Sequence, residues 1–110
     1  MKQKEIWLAN LNPTEGFEIY GHRPVVILSG ETMNLHSQLR IVCPITSKIK
    51  HRESCVFLQK DDLNKLEMDS EVLPFQVRAV DKNRLIHKIG DLSDAQFTAV
   101  KNGLFDVLTY

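Results

Sequence analysis

Arg23 stands directly before Pro24 and the unbroken apolar run Val25-Val26-Ile27-Leu28. A residue ahead of proline is driven to extended backbone. Proline is tolerated where a strand opens, because its missing N–H leaves no ladder bond unmade there. The order of residues thus places a guanidinium at a strand mouth. Two uses are open to it: a surface ion pair with Glu18, or a rigid fork of donors of the kind that holds a phosphate. A second candidate is CPITSKIKHR, residues 43–52, where an apolar run ends in Pro44, Thr46 and Ser47 and passes into a loop with Lys48, Lys50 and Arg52. Hydroxyls at a strand end cap turns. They also bind phosphate oxygens, here with Lys48 and Lys50 supplying a positive field.

The charge balance bounds what such a site can serve. Fourteen Lys and Arg are matched by fourteen Asp and Glu, which speaks against a general nucleic-acid binder. The charges are nevertheless clustered. Arg40, Lys48, Lys50 and Arg52 form one basic segment, and Arg78, Lys82, Arg84 and Lys88 a second, with Asp61, Asp62, Glu67, Asp69 and Glu71 between them. Two basic segments folded onto one face would form an anion-binding surface. Cys43 and Cys55 lack a C-x-x-C spacing and the four histidines are scattered, so reduced, buried thiols are expected and neither a metal site nor a cofactor. No apolar run approaches the roughly 20 residues of a membrane span, and the start MKQKEIWLANL has no apolar signal core. A cytoplasmic protein without a membrane partner is expected.

The elements that must position these residues are short. At 110 residues the chain suits one domain, residues 1–110, with length enough for a real core. Strand-like runs fall at 5–11, 24–29, 39–45, 54–59, 72–81 and 85–89, separated by turn signals at 12–16, at Gly30 and at 81–83. Short helical turns fit residues 31–35 and 61–65. The end differs: Ser93-Asp94-Ala95-Gln96 is a capping box, and Phe97, Val100, Leu104, Val107 and Leu108 recur at the spacing of one helix face. Gly103 costs that helix about 1 kcal/mol relative to Ala. Many short strands followed by one amphipathic helix predict a mainly β protein, a small bent barrel closed by the helix.

Four blocks, EIWLANLNPTEGFEIYGHRPVVILS, VCPITSKIK, QVRAVDKNRL and KIGDLSDAQFTAV, together resemble the MazF/PemK (Kid) family of toxin endoribonucleases. The resemblance spans nearly the whole chain, and its most specific parts are IWL, LNPT, the G-x-R-P motif and PITS at their separations. It implies an SH3-like barrel that acts as a homodimer and cuts single-stranded RNA without a metal, leaving a 2′,3′-cyclic phosphate and a 5′-OH. It also implies a cognate antitoxin that covers the RNA groove, the pair binding DNA as a complex. The arginine of G-x-R-P and the threonine of P-I-T-S are catalytic in the family, and these positions are Arg23 and Thr46. The acidic residue ahead of G-x-R-P matches Glu18, the available proton acceptor. Ser47, Lys48, Lys50, Arg52, Gln76 and Arg78 fall where RNA contacts are expected, although Arg78 is read most simply as a structural ion-pair partner of Asp81.

The chain also departs from the family pattern. Phe75 replaces an acidic residue, Leu73 replaces an arginine of PemK/Kid-type members, and Phe17 replaces a histidine. A Kid-like acid/base arrangement is therefore unavailable, and the chemistry must lean on Arg23 and Thr46. Two alternatives follow. A gyrase-inhibiting toxin of the CcdB type is disfavoured because that function needs a tryptophan near the C-terminus, and the only tryptophan here is Trp7. A barrel that binds RNA or peptide without cutting is the other.

Overall fold

The computed structural model describes residues 1–13 and 15–110. The 12–16 turn expected from Asn12-Pro13-Thr14-Glu15-Gly16 thus includes Thr14, which lies outside the described residues. The strands are β1 (Glu5–Asn10), β2 (His22–Ile27), β3 (Leu39–Thr46), β4 (Val56–Leu58), β5 (Ser70–Val72), β6 (Arg78–Asp81) and β7 (Leu85–Asp91). Helix α1 covers Glu31–His36 and α2 covers Asp94–Thr109.

The sheet runs β4-β5-β3-β2-β1-β7, with β6 joined to β3. β3 is the hub. Its start pairs with β6 (Leu39↔Asp81 to Val42↔Arg78), its middle with β2 (Val25↔Pro44 to Ile27↔Val42), and its end with β5 (Ile45↔Val72, Thr46↔Glu71). The strand order has two ends and does not close on itself, so the expected barrel is an open sheet closed over by α2.

The unbroken apolar run after Pro24 is buried on both faces, as its composition requires. Val26 packs with Ile6, Cys43, Ile45, Val72, Phe97 and Val100 beneath α2. Val25 and Ile27 face the other way, against Ala9, Leu11, Val42 and Val80. Cys43 and Cys55 are free thiols, and burial pushes the Cys43 thiol up to about 12.

Two expectations are corrected by the structure, on either side of one that it bears out. The strand expected over 72–81 is interrupted by a 3-10 turn at Pro74–Gln76, because Pro74 has no N–H for a ladder and fixes its own φ. Residues 61–65 make the single helical turn expected, closed by the Lys65 N–H on the Asp61 carbonyl at 2.9 Å, and the buried Asn64 side chain holds it by accepting from the N–H groups of Asp61 and Leu66 and donating to the Gln59 carbonyl. The helical stripe of α2 is covered only in its first half. Phe97, Val100 and Gly103 are buried, whereas Val107 and Leu108 are exposed.

Helix α2 carries both hydrogen bonds of the capping box, Gln96 N–H to Ser93 Oγ and Ser93 N–H to Gln96 Oε1. Gly103 is explained by packing: a Cβ there would lie 2.3 Å from the Ser54 carbonyl oxygen. Gly90 plays the same part on β7, where a Cβ would lie 2.3 Å from the Asn64 carbonyl oxygen. That close approach seats the 61–66 turn on the sheet.

The N-terminal edge carries an acid-sensitive clasp. Burial alone would raise the Glu5 pKa. The Lys2 N–H, the Trp7 indole, the N-terminal ammonium and Lys88 together outweigh it and hold the carboxyl at about 2. A folded-state pKa below the ordinary 4.5 makes this a contribution to stability that is complete above about pH 4.5 and is lost as pH falls towards 2. The urea midpoint of the wild type should therefore exceed that of Glu5→Gln at pH 7, and the two should converge on acidification. A constant separation down to pH 2 would refute the clasp.

Candidate RNA-cleavage site

Arg23 is the second residue of β2, half-buried, and pairs with the buried Ala9 of β1. Its Nε donates to the Tyr20 carbonyl at 3.0 Å and its guanidinium lies 5.9 Å from the centre of the Tyr20 ring. That bond uses one of five N–H donors, and among the described residues no carboxylate pairs with it. The ion pair with Glu18 is absent; Glu18 Oε2 instead accepts from the Glu15 N–H at 3.0 Å. The guanidinium is held at its root with its terminal nitrogens left over.

Continuing the β2–β3 register two residues beyond Val25↔Pro44 sets Arg23 opposite Thr46. Thr46 is buried, 7% exposed, and its Oγ1 accepts from the Lys48 N–H at 3.1 Å. The hydroxyl keeps its proton free to donate and has one acceptor lone pair unused. Thus the two motif residues, twenty-three positions apart in the chain, end on neighbouring strands at the same edge of the sheet.

Arg23 opens into a depression of about 540 Å³. Thr46 itself does not line it; its neighbours Ile45 and Ser47 do, as do Lys65, His87 and Lys88. Lys65 and His87 escaped the sequence reading. Lys65 arrives on the turn that Gly90 admits, and His87 by its register with Leu8 of β1. Neither carries a local signal, since each is one polar residue in an ordinary strand or turn. Lys88 bridges Glu5 and Asp91 at 3.4 and 3.2 Å.

The two basic segments do not assemble as a free cationic face. Arg40 is buried and donates to the carbonyls of Met1, Ser37 and Leu39. Arg84 donates to the Asn10 and Asn12 carbonyls, and Arg78 to that of Leu11 at 3.5 Å. Arg78 is not the partner of Asp81, whose carboxylate accepts from the Asn83 N–H. Both arginines steady the start of the β1–β2 loop. Arg52 donates to the buried Glu71 carboxylate at 2.6 Å. Lys48 and Lys50 are exposed and lie outside the lining of the depression.

Gln76 has a similar structural engagement. Its Oε1 accepts from the Ile19 N–H at 2.7 Å and its Nε2 donates to the Phe17 carbonyl at 3.3 Å. It ties the β1–β2 loop to the 3-10 turn. Beside it a smaller cleft of about 150 Å³ is lined by Glu18, Ile19, Pro44, Phe75, Gln76, Val77 and Arg78. Glu18 therefore faces a neighbouring cleft, with Pro44 of β3 on its wall. Among the described residues no three His, Cys, Asp or Glu gather as metal ligands.

The family described as "PemK-like, MazF-like toxin of type II toxin-antitoxin system" matches residues 2–108. A curated relative, Endoribonuclease MazF of Staphylococcus saprophyticus, is 39% identical over 106 residues, covering 94% of this chain and 88% of its own. Among solved structures, MazF of Deinococcus radiodurans superposes with a TM-score of 0.87 at 24% identity, covering 100% of this chain and 97% of the other. An endoribonuclease in complex with its cognate antitoxin, from a mycobacterial species, superposes at 0.82 with 18% identity, covering 98% and 94%. At these identities the structural matches speak for the fold.

Proposed function

Because this chain belongs to the PemK-like, MazF-like toxin family of type II toxin–antitoxin systems, we propose that Arg23 and Thr46 form the catalytic edge of its ribonuclease site. The protein is an endoribonuclease toxin, and a cognate antitoxin is its controlling partner. The observation that supports this reading is the β2–β3 register, which, continued past Val25↔Pro44, brings a guanidinium with unused N–H donors opposite a hydroxyl that can donate to a ligand.

The reaction follows from these groups. The ribose 2′-oxygen attacks the adjacent phosphorus, its proton passes to a base, and the bond to the 5′-oxygen breaks as that oxygen takes up a proton. The products are a 2′,3′-cyclic phosphate and a 5′-OH. Negative charge gathers on the non-bridging oxygens in the transition state, where preorganised donors are worth most. Arg23 supplies that donor fork, and the Thr46 hydroxyl donates to one oxygen. Glu18 is the carboxylate assigned to receive the 2′-OH proton. Ser47, Lys48 and Lys50 border the path of the backbone. DNA, lacking the 2′-OH, has no nucleophile for this step. Action in the cytoplasm as a homodimer, on messenger RNA, completes the proposal.

The test is direct. Purified protein incubated with a long mixed-sequence RNA in EDTA should yield discrete fragments. Their 5′ ends should accept label from polynucleotide kinase without prior phosphatase, and their 3′ ends should be cyclic. RNA that is bound but left whole would favour the non-catalytic alternative. Cleavage abolished by EDTA, or fragments with 5′-phosphates, would overturn the mechanism.

A further inference from the structure

Phe75, the residue that departs from the family's acidic position, is 46% exposed on the 3-10 turn after β5. Three features surround it. The Arg52 guanidinium lies 6.0 Å from the ring centre and is itself fastened to the buried Glu71. The 3-10 turn that carries it is tied through Gln76 to the β1–β2 loop. The ring lines the 150 Å³ cleft, whose other apolar walls are Pro44, Ile19 and Val77. That volume suits one flat ring system and falls below the roughly 300–1,000 Å³ of pockets for larger ligands.

The polar donors of the cleft come from Arg78, which has four N–H groups beyond the one directed at Leu11. Donors beside an apolar slot match the acceptor atoms on a nucleobase edge better than an aliphatic side chain. The cleft also adjoins the catalytic edge: Pro44 lies two residues before Thr46 on β3, opposite Val25, two residues after Arg23.

We propose that this cleft receives one unstacked base of the RNA, flat on Phe75, beside the scissile phosphate. The proposal rests on the ribonuclease reading only in taking single-stranded RNA as ligand. Aromatic platforms bind bases through their π-faces, so Phe75 contributes affinity for the base and none for the backbone. Replacing the family's carboxylate by a phenyl ring thereby exchanges a charge for a base seat.

The test uses two fluorescein-labelled decamers: a random-sequence RNA blocked by 2′-O-methyl groups, and an abasic sugar–phosphate chain of equal length. Anisotropy gives the Kd of wild type, Phe75→Leu and Phe75→Trp at one salt concentration. Phe75→Leu should weaken the RNA about 5- to 150-fold, the 1–3 kcal/mol of a stacked base at 1.4 kcal/mol per tenfold. Phe75→Trp should bind within a few-fold of wild type, and the abasic chain should bind all three alike. Unchanged RNA binding by Phe75→Leu, or an equal loss on both decamers, would overturn the base seat, as would Phe75→Trp failing like Phe75→Leu. Unblocked RNA cut normally beside Phe75-independent binding would sink this proposal alone. Base-dependent binding with no cutting would sink the ribonuclease reading instead.

Discussion

Arg23→Ala should lower single-turnover RNA cleavage by about 10²–10³-fold, the usual cost of one preorganised transition-state donor. The fold should be indifferent. Arg23 is half-buried at a strand mouth and makes one hydrogen bond, to the Tyr20 carbonyl, which solvent can replace. A stability change within about 0.5 kcal/mol is therefore expected, as for surface substitutions generally. Arg23→Lys separates charge from geometry, since an ammonium keeps the field but loses the planar fork. It should recover only part of the lost rate. Near wild-type cleavage by Arg23→Ala, with an unchanged thermal midpoint, would remove this residue from the mechanism.

Arg52→Ala should act on the fold, with a loss of about 3–5 kcal/mol in urea unfolding at neutral pH. Glu71 is 1% exposed and its carboxylate meets the Arg52 guanidinium at 2.6 Å. Removing the cation strands a charge in the interior, and the cost is the desolvation that the pair had offset. Removing both charges is a different matter, because an apolar pair of similar volume needs no compensation. Arg52→Leu combined with Glu71→Leu should thus be markedly more stable than Arg52→Ala alone. If Arg52→Ala costs under about 1 kcal/mol, solvent reaches Glu71 and the pair is a surface contact.

Local chemistry made several features readable from the residues in order. The capping box at Ser93 is a four-residue device whose partners are neighbours in the chain, so reading it requires no knowledge of the fold. Arg23-Pro24 and the apolar run behind it likewise declare a strand mouth through backbone sterics, and β2 begins at His22. The Thr46 end of β3 and the family blocks were legible for the same reason: each is a short contiguous pattern.

Tertiary structure decided where the long charged side chains ended. Arg78 and Arg84 belong to one basic segment in sequence, and they donate to the carbonyls of residues 10–12, more than sixty positions away. Arg52, expected as an RNA contact, has one of its nitrogens fastened to Glu71. Lys65 and His87 looked like nothing and line the depression beside Arg23. The physical reason is reach. A guanidinium spans several ångströms and takes whichever acceptor folding brings within hydrogen-bond distance. That acceptor is fixed by sheet register and by close approaches such as Gly90 on Asn64, quantities no local run of residues encodes.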